Sequence, residues 1–278
     1  NCLAKRYPNG LIFLAVADGM GGTSGGQIAS KLVLERANQV LLSTTAVKHH
    51  RQLKPILSDI FKEAQTVIAD YINDHPEYQG MGTTLTCVLL YNTSYAAGNL
   101  GDSRVYLLTD QQISQLTVDH TYIQDYQQKH NGEIDPSILS QYGHLLTRTI
   151  DGGTDSPDLF PNDKDAFQLQ NNQIFLLCSD GLILDKSIKN AETFQSFIRG
   201  THSLQDAARQ LIAHAFHSGS QDNITTVLAE AGKLKRLRLK LPNYSYPPSE
   251  RQSAPQTQKP RRKILWPVAA AILFLGLV

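Results

Sequence analysis

LIFLAVADGMGG, residues 11–22, runs an unbroken apolar segment straight into an aspartate and a cluster of glycines. The length of LIFLA and its isoleucine and phenylalanine read as a buried strand, which puts Asp18 at a strand's end. Gly19, Gly21 and Gly22 free the backbone to turn sharply and to bring a carbonyl close to a ligand. Taken alone, Asp18 and Gly19 read more readily as a plain turn than as a cation site, because Asp-Gly ends many strands. The rest of the chain decides between a turn and a cation site.

Two later stretches repeat the arrangement. QIFLLC (173–178) delivers Asp180 in SDG, and Asp222 in QDN stands ahead of the run ITTVLAEA (224–231). A fourth carboxylate, Asp102, lies in NLGDSRVYLL between two strand-like runs. Strand-end aspartates of this kind can share one rim. Mg²⁺ and Mn²⁺ favour several carboxylates, a carbonyl and retained waters, which this set could supply.

The ordered set VADGMGG, GTTLTCVLL (82–90), GNLGDSRVYLL, LTVDHT (116–121), LLTRTI (145–150), FLLCSDGL and QDNITTVL resembles the metal-dependent serine/threonine protein phosphatases, the PPM or protein phosphatase 2C family. Each motif is a common strand and turn, but their order over residues 11–231 is specific, and DGMGG is similar to the bacterial branch. The resemblance implies an α+β fold, an antiparallel β-sandwich flanked by helices in four layers. It implies hydrolysis of phosphoserine and phosphothreonine on proteins by a water bridging two metal ions, with kinases among the substrates or opposed partners. Asp18, the Gly19 carbonyl, Asp180 and Asp222 would hold two Mn²⁺ or Mg²⁺ ions, and Asp102 would help hold a third, weaker one.

Many family members carry a histidine two residues after the first metal-binding aspartate as acid to the leaving group. Met20 stands there, and Thr23 stands where bacterial relatives often have a histidine, so no catalytic residue is assigned beyond the metal ligands, and no substrate-binding residue. The family also places a phosphate-gripping arginine and an acidic pair ahead of the position of Asn1. A chain without them is expected to bind metal yet turn over slowly, and to leave the strand at 11–17 without a neighbour. The rival reading is a membrane-tethered pseudophosphatase that binds phosphoproteins without turnover.

Composition agrees with one globular domain and a tail: 278 residues, 41% hydrophobic and 18% charged, with a formal net charge of +1 that excludes a nucleic-acid binder driven by bulk electrostatics. Cys87 and Cys178 sit in apolar runs and read as buried thiols. Residues 24–42, with Ser24 as N-cap, and 51–74 carry apolar residues at helical spacing. Residues 82–116 alternate strand-like runs with turns, an antiparallel meander in which Arg104 and Tyr106 are strand-face residues. Residues 118–165 are polar and read as helix pieces joined by loops, the family's flap beside the active site, and further helical patterns follow at 192–199 and 203–219. His120 and His144 lack metal-ligand spacing and are assigned no role, while His214 and His217, on the face of a helical stretch close to QDN, read as structural rather than catalytic.

These patterns divide the chain into a phosphatase-like domain over 1–232, a basic and Pro/Ser/Gln-rich linker over 233–263, and the apolar run ILWPVAAAILFLGLV over 264–278. That run reads as the start of a C-terminal membrane helix. Lys259, Arg261, Arg262 and Lys263 flank it on the domain side, which places the domain in the cytoplasm and makes the membrane a partner.

Overall fold

The computed structural model describes residues 1–109, 112–133, 138, 141–143, 145–182, 196–198, 200–220, 222–232 and 269–275. In chain order its strands are β1 (Cys2–Arg6), β2 (Leu11–Val16), β3 (Gly19–Met20), β4 (Gly82–Thr83), β5 (Leu85–Tyr91), β6 (Ser94–Leu100) and β7 (Arg104–Leu108). They continue with β8 (Ile113–Gln115), β9 (Asp158–Phe160), β10 (Phe167–Gln168), β11 (Ile174–Cys178), β12 (Thr225–Ala231) and β13 (Ala269–Leu275). The α-helices are α1 (Gly22–Ser43), α2 (Leu53–Asp74), α3 (Tyr122–Lys129) and α4 (Leu204–His217).

The first large sheet runs β1-β2-β5-β6-β10 with β9 also on β6, the second runs β13-β12-β11-β7-β8, and β3 and β4 form a separate two-stranded sheet. Strand alternation sorts the side chains into layers. From β2, Leu11, Phe13 and Ala15 join a core with Leu57, Ile60 and Phe61 of α2, while Ile12, Leu14 and Val16 meet Phe175, Leu177 and Val227 of the second sheet. A strand buried on both faces leaves no position for a polar side chain, hence the unbroken apolar run. A third core joins Leu176, Cys178 and Leu228 to Leu204, Leu211 and Ile212 of α4. Three apolar interfaces between four layers make the α-β-β-α sandwich that the motif order implied. Gly98 lets α2 seat closely on β6, since a Cβ there would lie 2.6 Å from the Phe61 ring. Cys87 and Cys178 are buried free thiols, as expected.

Several expectations need correction. Helix α1 begins at Gly22 and not after a Ser24 cap: Gly21 occupies the cap position at φ 102°, and a Cβ there would lie 2.7 Å from Met81. Glycine alone tolerates both the left-handed conformation and the approach. The meander is divided between the sheets, β5 and β6 in the first and β7 and β8 in the second, and the break falls at Gly101, φ 106°. Strand β2 is not left without a neighbour, because β1 pairs with it from Cys2↔Val16 to Arg6↔Ile12. The polar stretch beyond 118 holds α3 as expected, but also β9, which pairs with β6 over three residues too few to show a periodicity.

The helix expected over 264–278 is replaced, where described, by strand β13, parallel to β12 from Thr225↔Ala269 to Ala231↔Leu275. The outer edge of β12 presents a row of backbone donors and acceptors, and an apolar, proline-free run satisfies them as a strand. Among the described residues no helix is long and apolar enough to cross a membrane. The linker over 233–263, His144 and most of 192–199 lie outside the described residues.

Candidate metal centre

Asp18 stands two residues beyond the end of β2, and its backbone is held from β4 and the residue after it. Its N–H donates to Thr84 Oγ1 at 3.0 Å, while its carbonyl accepts from the Thr84 N–H and from Thr83 Oγ1, each at 2.8 Å. Thr84 Oγ1 also lies 2.8 Å from Ser103 Oγ, and a Cβ on Gly101 would stand 2.5 Å from the Thr84 side chain. Thr84 therefore ties the turn bearing Asp18 to the turn bearing Asp102. The opposite side is built the same way. Ser179 Oγ donates to the Asn223 carbonyl and accepts from the Thr225 N–H, each at 3.0 Å, and Ser220 Oγ donates to the Gly181 carbonyl at 2.8 Å. A Cβ on Gly181 would meet the Asn223 carbonyl at 2.6 Å, so the loops of Asp180 and Asp222 interlock.

The four carboxylates share one electrostatic field. Burial pushes Asp18 up to about 8, with Asp180, Asp222 and Asp102 adding repulsion, and burial with Asp180 and Asp119 pushes Asp102 up to about 7. Aspartates drawn from the ends of β2, β6 and β11 and from ahead of β12 thus meet at one rim, and the Gly19 carbonyl adjoins them in the chain. Among the described residues no three His, Cys, Asp or Glu side chains form a ready-made ligand shell. The donor set nonetheless fits a hard divalent cation, being all oxygen and carrying carboxylates whose ionisation is opposed by burial and by one another. A cation at such a rim reverses that penalty.

Other chemistry near the rim is occupied structurally. Met20 is 39% exposed and carries no proton to give. His120 has both ring nitrogens engaged, one by the Gly101 N–H and one by Asp158. On α4, His214 packs on the Phe197 ring and His217 on Phe216. The hydroxyls of Ser103 and Ser179 are taken up in the bonds described, and burial pushes the Cys178 thiol up to about 12, far from a thiolate at neutral pH. Arg104, expected as a plain strand-face residue, grips Asp119 with Nε at 2.8 and 2.9 Å. Sequence reasoning missed the hydroxyl residues that position the aspartates, Thr83, Thr84, Ser103, Ser179 and Ser220. The signal was adjacency: Ser103 and Ser179 directly neighbour the rim aspartates in GDS and SDG.

The family described as Protein phosphatase 2C matches residues 1–229. Among curated proteins, the serine/threonine phosphatase stp of Listeria innocua is 29% identical over 226 residues, which cover 80% of this chain and 86% of that protein. The serine/threonine protein phosphatase PstP of Mycobacterium tuberculosis is 31% identical over 226 residues, covering 80% of this chain and 40% of that longer protein. The crystal structure of the catalytic domain of PstP in complex with 2 manganese ions superposes with a TM-score of 0.64 at 28% identity, over 82% of this chain and 94% of that one.

Proposed function

The chain belongs to the protein phosphatase 2C family and is a serine/threonine protein phosphatase; we propose that it works as a two-metal hydrolase whose ions are held by Asp18, the Gly19 carbonyl, Asp180 and Asp222, with Asp102 at a third, weaker position. The observation that carries this reading is the meeting of the four aspartates in one field, expressed in the raised Asp18 and Asp102 carboxyls. When bound, Mn²⁺ or Mg²⁺ supplies Lewis-acid activation of water and neutralises charge on the phosphoryl group.

The chain's own residues do the positioning. Thr83 and Thr84 fix the backbone that aims Asp18 and Gly19, and Ser179 and Ser220 lock the loops that aim Asp180 and Asp222. The nearby serine hydroxyls and the Cys178 thiol are committed or protonated, so the reading requires no phosphoenzyme, and water is the nucleophile. Proteins phosphorylated by serine/threonine kinases, the kinases among them, are the substrates this reading supplies. Attachment to a membrane through 264–278 belongs to the same proposal, supported by the basic flank at Lys259 to Lys263; it requires Ala269–Leu275 to leave β12 for the bilayer. Recovery of the whole protein in the soluble fraction at physiological salt would count against it.

The test is phosphate release from a phosphothreonine peptide in Mn²⁺, paired with calorimetric Mn²⁺ binding. Turnover abolished by EDTA, with binding lost in Asp180→Asn, supports the assignment. Binding without turnover returns the chain to a phosphoprotein-binding role, and full turnover in EDTA removes the metals from the mechanism.

A further inference from the structure

His120 is 1% exposed and is bonded on every side. Its backbone N–H donates to the Gly101 carbonyl at 3.0 Å, and its ring Nδ1 accepts from the Gly101 N–H at 3.1 Å. A nitrogen that accepts is unprotonated, so in the neutral ring the proton sits on Nε2, which donates to Asp158 Oδ2 at 3.1 Å. Asp158 is oriented in turn by Arg148, whose two terminal nitrogens donate to its two oxygens at 2.9 and 3.1 Å. The His120 carbonyl accepts from the Thr147 N–H at 2.9 Å, which fastens the same residue to the strand of chain that carries Arg148.

The Gly101 peptide is thereby gripped from both sides, and its carbonyl takes a further bond from Asn99 Nδ2 at 3.0 Å. At φ 106° and pressed on Thr84, Gly101 has no freedom left, and the next residue is Asp102. We propose that His120 is a positioning residue: ordered by the Arg148–Asp158 pair, it fixes the Gly101 peptide and so sets where the Asp102 carboxylate stands at the rim. The logic is that of an imidazole oriented by a carboxylate, used here to hold a backbone turn rather than to move a proton. A cavity of about 370 Å³ is lined by Asp119, Arg148 and Asp158, so the outer face of the cluster borders open space. The inference rests on Asp102 belonging to the metal rim.

Two isosteric variants separate the two ring bonds. In His120→Gln the amide nitrogen stands near the place of Nε2 and keeps the Asp158 bond, while the acceptor for Gly101 is lost; in His120→Asn the amide oxygen stands near the place of Nδ1 and keeps the Gly101 bond. Amide hydrogen exchange of the metal-free protein is the first readout. His120→Gln is expected to speed Gly101 exchange at least about tenfold while β5 amides keep their protection, and His120→Asn to restore it. The second readout is turnover on a phosphothreonine peptide in Mn²⁺, where His120→Gln is expected to lower kcat about tenfold with KM within about twofold, and His120→Asn to recover most of the loss. Unchanged Gly101 exchange and kcat in His120→Gln overturn the inference, as does a loss of protection spread evenly over both sheets, which would mark a purely structural residue. Asp102→Asn run in parallel tells the two readings apart. If it leaves turnover intact, the rim assignment fails; if it lowers turnover while His120→Gln does not, only the role of His120 fails.

Discussion

The interior between the two sheets and the rim at the strand ends are made by the same strands and obey opposite rules. Between the sheets Leu14, Val88, Phe175 and Val227 are fully excluded from water, and each contact is favourable. A few residues along the same strands, Asp18 and Asp180 are brought toward each other against burial and charge repulsion. Stability is stored in the layers, and the rim is a local penalty that those layers hold in place. Substitutions in the two regions should therefore separate activity from stability in opposite directions.

The largest contrast is expected at the rim. Asp180→Asn or Asp222→Asn should lower Mn²⁺-dependent turnover by about a thousandfold, about 4 kcal/mol of activation free energy. The metal-free melting temperature should stay level or rise, because one repelling charge is gone. A matching fall in stability would show that these carboxylates hold the fold, and the contrast would break.

Phe13→Ala tests the other side. Phe13 is fully buried between the first sheet and α2, and truncation should cost about 3–5 kcal/mol of unfolding free energy in denaturant titration. Turnover per folded molecule should hold within about twofold, since the cavity lies in the helix-facing core and the bonds from Thr83 and Thr84 to Asp18 are untouched. A proportionate loss of kcat would mean that core and rim are not separable.

Asp102→Ala should have a smaller effect, about tenfold in turnover, or 1.4 kcal/mol. Tight binding of the first two ions should survive in calorimetry, and its loss would move Asp102 into the primary site. The last contrast is read in stability and not in turnover, as the pH dependence of the metal-free protein. Asp18 rises from 3.8 in the unfolded chain to about 8 in the fold, so between those values the folded state binds more protons than the unfolded one. The stability linked to Asp18, and in the lower part of the window to Asp102, is present at acid pH and is lost as pH climbs toward 8. The melting temperature should fall over that window, and Asp18→Asn should flatten the slope. A rise with pH would show that ionised Asp18 is stabilised by a partner rather than repelled.

Much of this was legible in the chain alone because apolar runs report burial directly. LIFLAV, QIFLLC and the helical stripes over α1 and α2 needed no tertiary information to be assigned, and the ordered motifs carried the family and with it the four layers. Short elements escaped: β9 has three residues, and β1 is a strand because β2 offers it a partner and not because its own residues alternate. Helical cap geometry at Gly21 and the division of the meander at Gly101 depend on how closely Met81 and Thr84 approach, which local spacing does not encode. The fate of the C-terminal apolar run shows the limit most plainly. Hydrophobicity said that residues 269–275 must leave water, but bilayer and sheet both meet that demand, and it took the open edge of β12 to make them a strand.

The sequence by itself determined which carboxylates stand at strand ends, because a buried run must stop where a charge begins. Tertiary structure alone decided that those ends face one another, that Thr84 joins the turns of Asp18 and Asp102, and that the His120 ring accepts from the Gly101 N–H. The physical reason is range: burial and turn preference act along a few residues of chain, whereas a shared electrostatic field and a hydrogen bond between residues 19 apart exist only once the sheets have closed.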